Sequence, residues 1–270
     1  MALRPMRFVN LRGWPITRML RLEEALVRHE PGSWCLVNAL PASSAPTVVV
    51  GLSGKPHKLL NADALSAAEG DVPVVRRFTG GGTVVVGGGT VVASLVVEKD
   101  AAPCVPFPRE IMAWTEDVYA AAFGGLLQKN GDALALRDFD YTVGDRKVGG
   151  NAQCIAKDKF IHHTSFLWDF DPATMAYLRL PEKRPEYRAD REHDAFLARI
   201  SDAVAAPADR DPAAGAASLG AALKAALAPH FDLVDTPLED ALDVEARRDA
   251  ADWRGGWKPV DFPEKASPAA

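Results

Sequence analysis

Asp145-Arg146-Lys147-Val148-Gly149-Gly150-Asn151-Ala152-Gln153 sets one lysine in a run of small residues. The spacing predicts a tight turn with Lys147 inside it. A lysine ammonium is a compact point charge with three donors, suited to steadying a carbonyl or phosphate oxygen. Gly149 and Gly150 let backbone come close to a ligand without Cβ interference. Toward the amino terminus, Arg76-Arg77-Phe78-Thr79-Gly80-Gly81-Gly82-Thr83-Val84-Val85-Val86 joins two cations, a hydroxyl and a glycine triplet to a β-branched run. Toward the carboxyl terminus, Ile161-His162-His163-Thr164-Ser165-Phe166-Leu167 reads as a strand.

Working outward, short apolar runs at 34–38, 47–50, 72–75, 83–86 and 90–97 are punctuated by Pro41, Pro46 and the triplets Gly80–Gly82 and Gly87–Gly89, as strands joined by turns are. From Pro108 to Gly131 the period changes to about 3.6, with Ile111, Thr115, Val118, Ala122 and Leu126 on one face, which predicts a helix. Strands at 133–137, 141–143 and 160–168 bracket the lysine segment. Helices are expected near 173–179, 192–205, 216–229 and 238–251, with a strand at 231–234. The stretch 206–215, rich in Ala, Pro and charge, reads as a linker, and the tail from 255 as poorly ordered.

The 270 residues carry a formal net charge of -5, so a surface that coats nucleic acid is not expected. No run of eighteen apolar residues is present, which predicts no membrane-spanning helix. Cys35, Cys104 and Cys154 are far apart and form no Cys-x-x-Cys pair, against a zinc site or a disulfide scaffold. A reducing compartment fits, cytoplasmic or mitochondrial: residues 1–22 hold five arginines and no acidic residue, as transit peptides do, yet Phe8-Val9-Asn10 and Leu22-Glu23-Glu24-Ala25-Leu26 read as a strand and a helix of the fold.

In this order and spacing, the three segments resemble the lipoate–protein ligase branch of the biotin/lipoate A/B ligase superfamily. That branch has an Arg-Arg-x-Ser-Gly-Gly-Gly-x-Val loop, a Gly-x-Lys-(Ile/Val)-(Ser/Gly)-Gly-x-Ala turn and a His-His-Gly-Thr strand. The likeness spans roughly residues 6–200. It implies an α/β fold with a mixed, largely antiparallel central sheet and flanking helices, in a catalytic domain over 1–205, a small helical extension over 216–254 and a flexible tail over 255–270. It also implies an activity: lipoate or octanoate is activated with ATP and Mg²⁺ to an acyl-adenylate such as lipoyl-AMP. The acyl group then passes to a lysine of a lipoyl carrier domain, in a 2-oxoacid dehydrogenase complex or the glycine cleavage H-protein.

By the same resemblance, Lys147 contacts the carbonyl and phosphate oxygens of the mixed anhydride. Arg76, Arg77, Thr79, Gly80, Gly81, Gly82, Gly149, Gly150, Asn151, Ala152 and His163 line the acyl and adenylate pocket, and Asp140 supports Mg²⁺. On the residues alone, a glycine triplet is an ordinary hinge, Lys147 a surface turn lysine, His163 a bonded core histidine and Asp140 a turn cap. The sequence departs from the family at Val86-Gly87-Gly88-Gly89-Thr90, where members have His-Asp-x-Gly-Asn, and at Phe139, where an Asn precedes the Asp. It is also too short for the accessory carboxyl-terminal domain that many lipoate ligases carry, so a separate accessory subunit is conceivable. Two alternatives stay open: an ATP-independent octanoyl or lipoyl transferase that uses a cysteine thiolate, and a non-catalytic family member that binds an acyl group or a partner. Residues 179–191, rich in Arg and Pro, read as a solvated loop, a lid or a docking edge.

Overall fold

The computed structural model describes residues 2–127, 133–180, 185–251 and 255–262. Its strands are β1 Arg4–Asn10, β2 Ser33–Ala39, β3 Thr47–Val50, β4 Val74–Arg77, β5 Val84–Val86, β6 Thr90–Glu98, β7 Leu134–Arg137, β8 Asp140–Val143, β9 Arg146–Ile155, β10 Lys159–Leu167, β11 Phe231–Asp235 and β12 Trp257–Pro259. The helices are α1 Ile16–Arg28, α2 Pro56–Leu59, α3 Ala62–Ser66, α4 Pro108–Phe123, α5 His193–Phe196, α6 Pro212–Leu227 and α7 Leu238–Ala250.

Eight strands form one sheet in the order β11-β1-β2-β6-β10-β9-β8-β7, and four form a second, β12-β4-β3-β5. In the large sheet β1 pairs in parallel with both β2 and β11, and the remaining pairs are antiparallel. The expected mixed, largely antiparallel sheet is what forms.

Period-two alternation assigns the faces. On β6, Val91, Ala93, Leu95 and Val97 join the cluster beneath α4 and α6. Val92 and Val96 face the opposite cluster, with α1 and the inner side of the small sheet. The outer side of the small sheet, Val48, Val50, Val74 and Val85, packs on Met175, Phe196 and Leu197. The glycine triplet Gly80–Gly82 and the start of β9 lie where these layers meet. Among the described residues, no helix is long and apolar enough to cross a membrane.

Four local expectations are corrected. Lys147 is not in a turn: the turn is Gly144-Asp145, with Gly144 at φ +60, and Lys147 is the second residue of β9. Gly149 and Gly150 stay extended because they pair with Phe166 and Ser165 of β10. The helix from Pro108 ends at Phe123 because Gly124-Gly125 follows, and Gly131, expected to end it, lies outside the described residues. The helix expected over 192–205 is broken after Phe196, because the Ala198 N–H donates to the Lys147 carbonyl at 2.9 Å. The linker over 206–215 is built into the fold. The Trp168 indole donates to the Asp209 carbonyl at 2.7 Å, and the Asp211 side chain caps α6 by accepting from Ala213 and Ala214.

Residues 216–251 supply most of α6, all of α7 and the edge strand β11. Within the tail, Trp257–Pro259 pair with β4, Trp257 opposite Arg77. Residues 252–254 and 263–270 lie outside the described residues.

Candidate functional site

Lys147 is aimed by a bulge. Along β8 and β9, Tyr141 faces Gly149 and Thr142 faces Lys147, leaving Val148 as the extra residue. A bulge re-aims the side chains next to it. Val148 and the Cα of Gly149 consequently face the apolar core, where a Cβ on Gly149 would lie 3.0 Å from the Phe166 ring. Lys147 and Gly150 share the other side, where a Cβ on Gly150 would lie 3.4 Å from Lys147 Nζ. The two glycines therefore serve different needs, one core packing and the other room for the lysine stem.

Lys147 Nζ sits 2.7 Å from Asp140 Oδ1, and Asp140 Oδ2 accepts from the Tyr187 hydroxyl at 2.9 Å. Burial first, then the neighbouring Asp140 charge, hold the Tyr187 phenol above its ordinary range, which keeps it a donor. The Lys147–Asp140 pair stands between two cavities. The first, about 420 Å³, is walled by Val85, Leu167, Met175, Leu178 and Phe196 and carries Lys147, Arg179, Arg188 and His193. The second, about 460 Å³, is walled by Pro108, Met112, Phe139, Asn151, Ala152 and Gln153, and among the described residues its one cationic side chain is Lys147. Gly81, Gly82, Thr83, Val84, Asp140, Lys147 and Gly150 line both.

The element from Arg76 to Gly82 divides its work. Arg77 is buried, and its guanidinium donates to the carbonyls of Val49, Gly80 and Gly82 at 3.3, 3.1 and 2.7 Å. Burial pulls it down to about 10, opposed by the charge of Glu23. Arg76 donates to the carbonyls of Gly51, Leu52 and Gly54. Neither arginine lines either of these two cavities; together they hold the loops that do. Thr79 is likewise buried behind the wall.

Gly81 takes φ +113, and a Cβ there would meet Arg77, Asn151 and Ala152. Gly82 opens onto free space, and a Cβ there would have nothing within 4 Å. Around the triplet, Arg77 Nε, Thr79 Oγ1 and Thr83 Oγ1 are buried without a hydrogen-bond partner among the described residues. Buried polar atoms are normally paired, and of these three residues Thr83 lines both cavities, which leaves one polar group unmet at their shared wall.

His163 turns away from both cavities toward α1, with Nδ1 2.8 Å from the buried Glu23 carboxylate, which also accepts from Ser94 Oγ. His162 faces the other way, bonded to Gln153 and Tyr141. Burial, reinforced by His163, pulls it down to about 3, so it is neutral at physiological pH. The Asn151 amide donates to the Phe139 carbonyl, bracing the hairpin that carries Asp140.

Among the described residues, Asp140 is the only carboxylate that lines either cavity, and both of its oxygens are bonded. No group of three described His, Cys, Asp or Glu side chains converges on one point. The donor set therefore suits Mg²⁺ only in its phosphate-borne form, which needs one or two carboxylates and fills its remaining positions with phosphate and water. None of the cysteines lines either cavity. Burial pushes Cys35 up to about 12 and Cys104 up to about 11, and raises Cys154, the opposite of what an acyl-carrying thiolate requires.

Sequence reasoning did not single out Tyr187, Arg179, Arg188, His193, Thr83 or Ser165. The first three lie in the Arg/Pro-rich segment read as a lid or docking edge, of which 181–184 fall outside the described residues. Its remainder roofs the first cavity. Arg188 stacks over Phe196 at 4.4 Å, and Arg191 donates to the Asp145 carboxylate and to the Asp145 and Tyr187 carbonyls.

Comparison with known proteins bears on this geometry. The family model described as the lipoyl protein ligase A/B catalytic domain matches residues 15–214. A curated protein of Plasmodium falciparum, named inactive lipoate–protein ligase 2, is 28% identical over 205 residues, covering 64% of this chain and 51% of that protein. The chain thus spans about half the length of that relative. The solved structure of lipoate-protein ligase A bound with ATP superposes with a TM-score of 0.65 at 16% identity, covering 92% of this chain and 94% of that one. The bi-partite lipoate protein ligase of Thermoplasma acidophilum, solved in a study with its E2 lipoyl domain, gives 0.64 at 17% identity and covers 92% of each chain. At these identities the superpositions establish the fold.

Proposed function

This chain belongs to the lipoyl protein ligase A/B catalytic-domain family, and from that premise we propose that it activates lipoate or octanoate with ATP and passes the acyl group to a lysine of a lipoyl carrier domain. The observation that carries this reading is the position of Lys147. Its ammonium stands on the wall shared by a cation-rich cavity and a largely uncharged one.

An acyl-adenylate needs both environments at once. Its phosphate and purine fit the first cavity, where Arg179, Arg188 and Lys147 supply positive charge and Leu167, Met175 and Phe196 supply apolar walls. Its acyl tail fits the second, against Val84, Met112 and Ala152. The acid carboxylate attacks the α-phosphorus, pyrophosphate leaves, and the mixed anhydride carbonyl comes to rest at the junction. When the acceptor amine attacks, negative charge grows on the carbonyl oxygen, and a preorganised cation there lowers the barrier. Asp140, the carboxylate that lines both cavities, would help hold Mg²⁺ carried by the nucleotide, which would supply neutralisation of phosphate charge.

Arg76 and Arg77 hold the loops, while Gly80, Gly81, Gly82 and Gly150 leave the space. Gly149 and His163 serve the packing behind the site, and Asn151 and Ala152 line the acyl side. The acceptors we propose are lipoyl domains of 2-oxoacid dehydrogenase complexes or the glycine cleavage H-protein, in a reducing compartment, cytoplasmic or mitochondrial, with or without a separate accessory subunit.

Incubating an apo lipoyl domain with the protein, lipoate, ATP and Mg²⁺ is expected to add one lipoyl mass. Lys147→Ala is expected to slow the addition by about 10²–10³-fold, and a rate within threefold of wild type overturns the assignment. A second reading, a binding member without turnover, is favoured by the inactive designation of the Plasmodium relative and by Val86 and Gly87 standing where the family has His and Asp. That reading expects stabilisation by a lipoyl-adenylate analogue with no mass gain.

A further inference from the structure

The Arg/Pro-rich segment does more than cover the first cavity, because it is fastened at the lysine itself. The chain that follows it is stitched to β9: the Ala198 N–H donates to the Lys147 carbonyl, and the Arg146 guanidinium donates to the Leu197 carbonyl. The segment's last residue, Arg191, ties it to the turn before Lys147 through Asp145. One side chain then reaches the reactive pair. The Tyr187 ring packs on Phe196 with centroids 5.3 Å apart, and its hydroxyl donates to Asp140 Oδ2 at 2.9 Å.

Asp140 begins β8 directly after a two-residue hairpin turn, in which Asp138 takes φ +55. Its carboxylate stands at the end of a strand, where a free χ2 torsion lets it swing. With Oδ2 fixed by Tyr187, Oδ1 is left to hold the Lys147 ammonium at 2.7 Å.

We propose that Tyr187 is a positioning residue for Lys147: it fixes the Asp140 carboxylate from the roof of the first cavity and so holds the ammonium at the junction of the two cavities. This rests on the proposed ligase reading for its catalytic meaning, although the contact itself is independent of any substrate. It gives the roof a role that covering alone does not.

The test separates the two levels. The full chain is trace-labelled at one fixed pH with a small amine-acylating reagent, and modification of Lys147 is measured by mass spectrometry against exposed Lys55 in wild type, Tyr187→Phe and Asp140→Asn. The Phe variant keeps the ring on Phe196 and removes only the hydroxyl. Lys147 labelling is expected to rise at least threefold in Tyr187→Phe, toward the level of Asp140→Asn, with the Lys55 rate unchanged. Labelling that stays at the wild-type rate or falls overturns the proposal, whether or not the protein proves to be a ligase. If transfer is observed, Tyr187→Phe is also expected to lower kcat about tenfold while leaving KM for ATP within twofold. A change in KM alone would assign Tyr187 to nucleotide binding and likewise overturn the positioning role.

Discussion

Gly80–Gly82 and Gly87–Gly89 are the same tripeptide, seven residues apart and flanking one short strand, and they do opposite things. In the first, Gly82 looks into open space on the wall of both cavities, and a buried arginine holds the carbonyls of Gly80 and Gly82. In the second, a Cβ on Gly88 would lie 2.2 Å from the Ala42 carbonyl oxygen, and one on Gly89 would lie 2.5 Å from the Asp169 carbonyl oxygen. One triplet keeps room for a ligand; the other lets three chain segments touch. The second also gives a physical reason for the departure from the family's His-Asp-x-Gly-Asn pattern. Val86 is packed with Val49 and Val75, and at Gly88 and Gly89 the space a side chain would take is filled by the backbone of Ala42 and Asp169.

The largest effect on stability is therefore expected at the closed triplet. Gly88→Val forces a branched side chain into backbone and should cost more than about 3 kcal/mol, beyond the ordinary cost of overpacking. Equilibrium denaturation measures it, and a tolerated variant would break the contrast. Gly149→Ala is intermediate, because its methyl would meet the Phe166 ring at 3.0 and 3.2 Å and a ring can shift. A loss of about 1–2 kcal/mol is expected in the same measurement.

Gly82→Val should be the mildest, within about 0.5 kcal/mol of wild type, as for a surface change away from packing. Its effect belongs to binding. A ligand at a hundredfold excess over Kd stabilises by about 2.7 kcal/mol, and a non-hydrolysable lipoyl-adenylate analogue should show that gain with wild type and lose it with Gly82→Val. Equal stabilisation of both proteins would mean the first triplet is a hinge after all. Gly81 is a poor probe of the pocket, since its φ of +113 and its contacts with Arg77 and Asn151 mix folding with binding.

The elements defined by one strong period were legible: β3, β5 and β6 from β-branched runs, α4 from its 3.6 spacing, and β11 between its helices. Lys147 was legible as the cation of the candidate site, but its setting differs from the expected turn. Paired glycines look like a turn in sequence, and only the β10 register shows that they are extended. Adjacent on a strand, His162 and His163 face opposite ways, yet alternation gives no sign of which face holds ligand, and Glu23, 140 residues away, settles it for His163. Arg77 and Thr79 occupy family motif positions but act from behind the wall, since a motif records position and not direction. Arg179, Arg188 and Tyr187 were hidden for another reason. The segment carrying them has no period, and it reaches the site only because Leu197 and Ala198 leave the helical path to join β9.

The pairing of β11 with β1 sets an order of events in the life of the chain. Arg4 lies opposite Phe231, and Trp257 opposite Arg77, so each sheet is finished by a strand made long after its other strands. Contacts this remote in sequence carry a large loop-closure cost before they return anything. During translation, β1 waits with an open hydrogen-bonding edge, and unpaired edges recruit other strands. A nascent chain of this protein is therefore most vulnerable to aggregation after its site-bearing strands exist and before residues 231–235 leave the ribosome, and that interval is when a chaperone has most to shield.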